Sequence, residues 1–384
     1  MPADALRHVA VVGASLAGTV LADALRRNGF DGRITLIGGE ASPAYSRPAL
    51  SKGVLTGKEQ LDDILLHPLG SDVEQRLGTH VVSVDLDARR LVLDDGDEIA
   101  FDGLAITTGA RARRLADLGA AEPGARETTF RDILDARRLG GELDRARRVV
   151  IVGAGILGME LASACVDRGA EVILIDQQPP LRAQLGEFLA DLAVAAALER
   201  GVRFVQDASV RIRGRETPVV ELGDGRRFEG DVVISAVGCL PNVEWLAGTH
   251  LDTAGGVRVD SRGRAGGNVV AAGDVAAYPS GSGHRRTPLW NSAMEQARTA
   301  AAALLRGDEA PPLIPPEYFW TEQFGLAIKA CGTLPPAGQP IYLEGGPGAS
   351  ELLLQWRSGD VPTTAVAVNT RVPVKKLRAL SRRA

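Results

Sequence analysis

Cysteine is scarce in this 384-residue chain: Cys165, Cys239 and Cys331 are all it has, and they stand far apart. They form no CxxC redox pair and no metal-type spacing, and the five histidines are equally scattered. A disulfide-stapled scaffold and a metal centre are therefore set aside, and chemistry beyond the side chains has to come from a cofactor. Long apolar runs are also missing; none approaches the ~18 residues that a membrane span needs. The opening MPADALRHVAVVGASLAG puts no charged leader before its apolar run, so it reads as a strand and turn, and the expected location is cytoplasmic. Nor is there an excess of positive charge. A net charge of −4 and a pI of about 5.9 argue against nucleic acid as the main partner, because phosphate binding needs a basic face. What remains is 45% hydrophobic and 24% charged, the composition of a globular chain, with length for two or three domains at ~100–200 residues each.

An internal duplication organises the chain. Residues 8–110 read as an apolar strand (His8 to Val12), a glycine turn, a helix, and a second strand (Arg33 to Ile37) ending near Glu40. Alternating segments around Asp94-Asp95-Gly96 follow, then LAITTGA. Residues 148–238 repeat the order: RVVIVGAGILGMELASACVDRG, AEVILID, a helix near 185–200, alternating segments around Gly223-Asp224-Gly225, then VVISAVG. Asp-Gly turns between alternating runs are hairpin signals. Two βαβ units, each followed by a small meander, predict an α/β chain with two Rossmann-like dinucleotide-binding folds. AEPGARETT (121–129) reads as a crossover between them. The strand NVVAAGD, a Gly/Ser/Pro-rich loop and the helix SAMEQARTAAAALLRG come next. Pro311, Pro312, Pro315 and Pro316 then mark a boundary before a C-terminal α+β domain.

The first turn is Gly13-Ala14-Ser15-Leu16-Ala17-Gly18. In a dinucleotide fingerprint the first glycine makes the tight turn, the second lets backbone approach a pyrophosphate, and the third lets the helix pack on the strand. Ser15 stands at the second position. Glu40, 22 residues beyond Gly18, is placed to meet a ribose hydroxyl. Gly-Ala-Ser also resembles a nucleophile elbow, but an elbow follows several strands of a hydrolase sheet and this turn follows the first. A third reading is a glycine turn that only packs a helix on a strand. The second turn, Gly153-Ala154-Gly155-Ile156-Leu157-Gly158, matches fully, and Asp176 ends the next strand. Gln177 and Gln178 follow it, with no base before Arg182, so a 2′-phosphate would meet a carboxylate; NADH is favoured over NADPH. Two such folds suggest a flavin on one and a nicotinamide on the other, and spacing alone does not decide which holds which.

The segment YSRPALSK (45–52) resembles the Y-x-R-P-x-L-S-K motif of the FAD-dependent, NADH-using ferredoxin reductases that serve Rieske-type dioxygenases and bacterial haem monooxygenases. TTGARARRL, TTFRDILDARRL, VGCLPN, AAGDVA, LWNSAMEQA and YFWTEQFGL follow in that family's order over almost the whole chain. The resemblance implies FAD on the first fold and NADH on the second. It places Glu40 on the FAD adenosine, Arg47 and Lys52 along the cofactor, and the Val81 backbone at the adenine. It places Arg131 and Asp274 by the pyrophosphate and ribityl chain, and Trp290 and Trp320 beside the flavin ring. Ser15, Ala17, Thr108, Gly109 and Gly238 are further cofactor candidates from the quoted motifs. Lys52 and Glu160 are the candidate catalytic pair, approaching across the two dinucleotide folds. Three departures stand out: Ala49 for a frequent proline, Thr287-Pro288-Leu289 where an acid is common, and Asp176 for the usual Glu.

The expected partition is an FAD domain at 1–111 and 240–312, an NADH domain at 112–239 and a C-terminal domain at 313–384. The expected activity passes a hydride from NADH to FAD and then single electrons to an acidic two-iron ferredoxin. Direct reduction of a quinone or other small molecule is the alternative within enzymes, disulfide reduction a further one, and a redox-sensing flavoprotein the alternative outside them. Basic runs at RARR (111–114) and RVPVKKLRALSRRA (371–384) are candidate docking surface; neither ferredoxin identity nor oligomeric state is readable.

Overall fold

A computed structural model describes residues 6–281 and 283–382, so Arg383 of the basic tail lies outside the described residues. The chain forms two compact units. The first runs through Ser46, resumes over Asp62–Arg111 and ends with Cys239–Pro316; the second comprises Arg47–Leu61, Ala112–Gly238 and the chain from Glu317 onward.

The first unit is built on β1 (His8–Val12), α1 (Leu16–Arg27) and β2 (Arg33–Gly38). Its six-stranded sheet has the order Arg264–Gly266, Val269–Ala271, Gly103–Ile106, β1, β2, Val73–Leu77, parallel except at the first pair. Side chains alternate faces along a strand, and both faces of β1 are covered. Val9 and Val11 pack with Leu21 and Leu25 of α1 and with Ala297, Ala300 and Ala301 of the helix Trp290–Arg306. Ala10 and Val12 face Leu91, Leu93, Ile99 and Phe101 of a meander whose hairpin turns at Gly96, where φ is +88°. A parallel sheet buried on both sides requires such near-continuous apolar strands.

The second unit repeats the plan with β3 (Arg148–Val152), α2 (Ile156–Asp167) and β4 (Glu171–Asp176). Four parallel strands lie in the order Arg203–Gln206, β4, β3, Val232–Ser235, and the meander turns at Gly225. The helix expected near 185–200 spans Arg182–Glu199, with a break at Gly186, whose φ of +74° is outside helical geometry. Prolines 311–316 carry no regular structure. Beyond them β5 (Tyr318–Gln323) opens a five-stranded antiparallel sheet, and the helix Val374–Leu380 buries Leu377 against it. The α/β class with two dinucleotide folds and a C-terminal α+β layer is thus observed.

The C-terminal sheet is tied to the second dinucleotide fold through aromatic edges. Phe188 meets Trp356 at 6.0 Å and Tyr342 at 6.2 Å between ring centroids, in T-shaped contact. Trp356 is fully buried and donates from Nε1 to the Gly338 carbonyl at 3.0 Å. Trp356→Ala is expected to destabilise by about 3–5 kcal/mol, from lost burial and an orphaned carbonyl. Thermal unfolding should show the loss; a midpoint within a degree of the parent would refute it.

Candidate functional site

Glycine is required at some turn positions by the fold and at one position by nothing inside the fold. Gly13 has φ of +115°, and a Cβ there would lie 2.1 Å from the Thr107 carbonyl oxygen. A Cβ on Gly18 would lie 1.9 Å from the Gly13 oxygen. The second unit reproduces both restrictions: φ is +108° at Gly153, with the Ala236 oxygen 2.4 Å from its Cβ position, and Gly158 stands 1.9 Å from the Gly153 oxygen. Gly155 differs. Its φ of −74° and ψ of −173° suit any residue, and its Cβ would meet only Gln184 Nε2, at 3.7 Å. Ser15 holds the matching place in the first turn with φ of −101° and ψ of −161°. Neither α1 nor α2 has an acidic residue in its first turn, so the positive ends of both helices remain suited to an anion.

Asp176, at the end of β4, folds back on the glycine turn. Its Oδ2 accepts from Ala154 N–H at 2.6 Å and its Oδ1 from Gln178 N–H at 2.9 Å. Arg182, the nearest base in sequence, is engaged by Glu187 at 2.7 Å and Asp191 at 3.0 Å, and these carboxylates raise its pKa. Ile156 and Leu157 start α2, and both are partly or more exposed.

Lys52 and Glu160 meet in the second unit. Residues 47–61 pack there, so the pair forms within one unit instead of between the two. Arg47–Ala49 is a helical turn that widens over Leu50–Val54 into a π turn, closed by the bond from Leu55 N–H to the Leu50 carbonyl at 3.0 Å. Such turns are frequent at functional sites. Glu160 is 6% exposed; its Oε2 accepts from Lys52 Nζ at 2.9 Å and from Ser51 Oγ at 2.7 Å, while its Oε1 accepts from Thr321 Oγ1 at 2.7 Å. Lys52 Nζ also donates to the Pro48 carbonyl at 3.0 Å. Arg47 Nη1 donates to the Arg131 carbonyl at 3.0 Å, and Arg131 N–H donates to Asp135 Oδ2 at 2.8 Å. Burial and the nearby Asp132 charge raise the Asp135 pKa. Trp320, also in this unit, stacks on Tyr318 at 5.9 Å.

The first unit gathers most of the other candidates. Gly273 of the AAGD turn has φ of +81°, and a Cβ there would lie 2.9 Å from the Ala17 Cβ, so the Asp274 loop is drawn against α1. Gln296 Oε1 accepts from Gly273 N–H at 2.8 Å, and Arg286 Nη1 donates to the Asp274 carbonyl at 3.0 Å. Trp290 packs against the cluster of Leu16, Ala17 and Ala293 beside the first turn. Thr108 Oγ1 donates to the Asn242 carbonyl at 2.7 Å, and Asn242 N–H donates to the Gly109 carbonyl at 3.1 Å. Glu40 Oε2 accepts from Tyr45 Oη at 2.5 Å. Val81 starts the strand Val81–Asp85. Gly238 belongs to the second unit, where its carbonyl accepts from Arg113 N–H at 3.0 Å. The three cysteines are free, and burial pushes the Cys165 thiol up to about 12.

The pattern described as pyridine nucleotide-disulphide oxidoreductase matches residues 7–297. The chain belongs to this family. Among curated members, a 3-phenylpropionate/cinnamic acid dioxygenase ferredoxin–NAD(+) reductase component of Photorhabdus laumondii is 32% identical over 96% of this chain and 95% of its own. A biphenyl dioxygenase system ferredoxin–NAD(+) reductase component of Paraburkholderia xenovorans is 34% identical, with the same coverage. The crystal structure of a ferredoxin reductase for the CYP199A2 system from Rhodopseudomonas palustris superposes with a TM-score of 0.84 at 27% identity, over 94% of this chain and 91% of that one. The oxidoreductase fold of the family is the fold observed.

Ser51, Thr321, Gln296 and Arg286 are polar partners at these sites that the motifs do not single out. Ser51 and Thr321 sit within the quoted motifs beside Lys52 and Trp320, and a hydroxyl next to a candidate ion was the one signal that could have found them. Gln296 and Arg286 gave no such signal. The glycine geometry yields a paired prediction. Gly13→Ala should destabilise by about 2–4 kcal/mol through strain and overlap. Gly155→Ser should melt with the parent yet bind a nicotinamide dinucleotide at least about tenfold more weakly, as judged by calorimetric titration, because a side chain there excludes only an outside ligand. Parental affinity in Gly155→Ser would remove the turn from the site.

Proposed function

We propose that the chain is a flavoprotein ferredoxin reductase, carrying FAD on the first dinucleotide fold and NADH on the second. The proposed partition is an FAD domain at 1–111 and 240–312, an NADH domain at 112–239 and a C-terminal domain at 313–384. When bound, the flavin supplies the conversion of a two-electron hydride donor into single electrons for an iron–sulfur protein that feeds an oxygenase. The observation that carries the reading is Gly155, a position that neither backbone geometry nor packing reserves for glycine, in a turn where Gly153 is reserved by both and Gly158 by packing. The residues around it fit a dinucleotide: open amides for a pyrophosphate and a carboxylate at the strand end for ribose hydroxyls. Full-length likeness to reductase components of dioxygenase systems supports the ferredoxin assignment.

The roles proposed for the chain's own groups are binding and orientation. In the first unit Gly13, Ser15, Ala17, Gly18, Glu40, Val81, Thr108, Gly109, Asp274 and Trp290 line the flavin dinucleotide. In the second unit Arg47, Lys52, Arg131 and Trp320 are the further cofactor-binding residues, with Arg47 and Lys52 supplying positive charge. Gly153, Gly155, Ile156, Leu157, Gly158, Asp176 and Gly238 bind NADH, and Lys52 with Glu160 forms the pair at the reacting centre. Arg182 is engaged by two acids and Asp176 repels a 2′-phosphate, which supports NADH over NADPH. Asp176→Ala should therefore raise the NADPH-to-NADH ratio of kcat/KM by about tenfold or more. A ratio equal to the parent's would take Asp176 out of the site.

The proposed acceptor is an acidic two-iron ferredoxin. Exposed Arg371, Lys375 and Arg378 have no carboxylate partner among the described residues, whereas Lys376 and Arg382 pair with Glu344 and Glu317. In the RARR run, Arg111 pairs with Glu244 and Arg114 with Glu127. The C-terminal helix is thus the favoured docking face. The deciding experiment is NADH-driven cytochrome c reduction by the flavin-loaded protein, with and without ferredoxin, across a salt series. Stimulation by ferredoxin that fades as the Debye length falls from ~10 Å at 0.1 M to ~3 Å at 1 M supports the reading. A chain that neither carries nor takes up FAD, or turnover indifferent to ferredoxin, overturns it.

A further inference from the structure

Glu160 is held by more donors than its ion pair needs. Ser51 and Thr321 are 4% and 0% exposed, and they reach its two oxygens from different segments: Ser51 from the π turn to Oε2, Thr321 from β5 to Oε1. With Lys52 on Oε2 as well, the carboxylate plane is held at both ends. The ammonium is held in turn. Of its three N–H donors, one goes to Glu160 and one to the Pro48 carbonyl; the third has no acceptor among the described residues. The Lys52 side chain is 16% exposed, against 6% for Glu160, so it is the wetter member of the pair.

We propose that Ser51 and Thr321 are positioning residues that act through Glu160 to aim the Lys52 ammonium, an inference that rests on the reading of Lys52 as part of the reacting centre. A flexible lysine chain carries about 2 kcal/mol of rotamer entropy, so a single ion pair leaves its head mobile. A carboxylate that cannot rotate removes that freedom. Thr321 holds Oε1, the oxygen Lys52 does not touch, so its hydroxyl acts on the ammonium only by preventing rotation of the carboxylate. Simple satisfaction of buried hydroxyls would require no effect on Lys52 when either is removed.

The test uses the purified full-length protein with Ser51→Ala, Thr321→Val and, as the conservative control, Thr321→Ser. Competitive acetylation with acetic anhydride, read peptide by peptide by mass spectrometry, reports Lys52 against exposed Lys375. Lys52 labelling should rise about tenfold in Ser51→Ala and Thr321→Val, the scale of one lost bond to a charged group, while Thr321→Ser stays at the parental level. Should Thr321→Val fail to fold, as judged by its melting curve, Ser51→Ala still decides. In flavin-loaded protein the same variants should shift the flavin redox equilibrium about tenfold toward the oxidised form, about 30 mV for a two-electron couple. Parental Lys52 labelling in Ser51→Ala, or in a folded Thr321→Val, overturns the inference. Failure to bind flavin would sink the proposed function but leave the labelling result decisive for the positioning role.

Discussion

The contact between the third glycine of each turn and the carbonyl of the first sets the geometry of everything downstream. In both units the Cβ position of that third glycine lies 1.9 Å from the carbonyl oxygen, closer than any side chain could come. Helix and strand therefore share a backbone contact, and the helix starts directly over the strand's carboxyl end. This leaves its amide terminus open at the edge of a parallel sheet, where ligands of such sheets bind. Within its own unit, each acidic segment is drawn toward the glycine turn by a close contact: the Asp274 loop through Ala17 in the first, Asp176 through the Ala154 amide in the second.

Around α2 the second unit accepts an electrostatic cost. A carboxylate is expensive to bury, and Glu160 is compensated by three donors from two other segments. Replacing such a cluster with well-packed apolar side chains is often neutral or stabilising, so stability alone does not account for it. What the cluster confers is a defined orientation at one ammonium group. The π turn makes this possible: an extra residue per turn brings Ser51 and Lys52, neighbours in sequence, to the same carboxylate oxygen.

Surface charge follows a different logic from sequence charge. RARR looks as basic as the C-terminal tail when read as letters. Folding places Glu244 and Glu127 against two of its arginines, and leaves Arg371, Lys375 and Arg378 exposed with no carboxylate partner among the described residues. Long-range steering depends on such residual charge, because paired charges cancel beyond a few ångströms. An acidic chain can thus present one cationic face.

Much of the scaffold was legible because it is written in short-range patterns. The strand His8–Val12, both glycine turns and the Asp-Gly hairpins depend on neighbours within a few residues, and each appears where the letters placed it. The helix near 185–200 was legible only in part, since the break at Gly186 answers to the Pro336 carbonyl, which would lie 2.6 Å from a Cβ there. Residues 47–54 carry no periodicity that announces a π turn, and their place in the second unit is set by packing. Lys52 and Glu160 are 108 positions apart, and Thr321 lies 161 beyond Glu160. The two dinucleotide turns are readable in the letters alone, because their constraints are local backbone geometry. Which hydroxyls hold the buried carboxylate, and which described cations lack a carboxylate partner, follows from folding, because both depend on contacts between segments that no local pattern encodes.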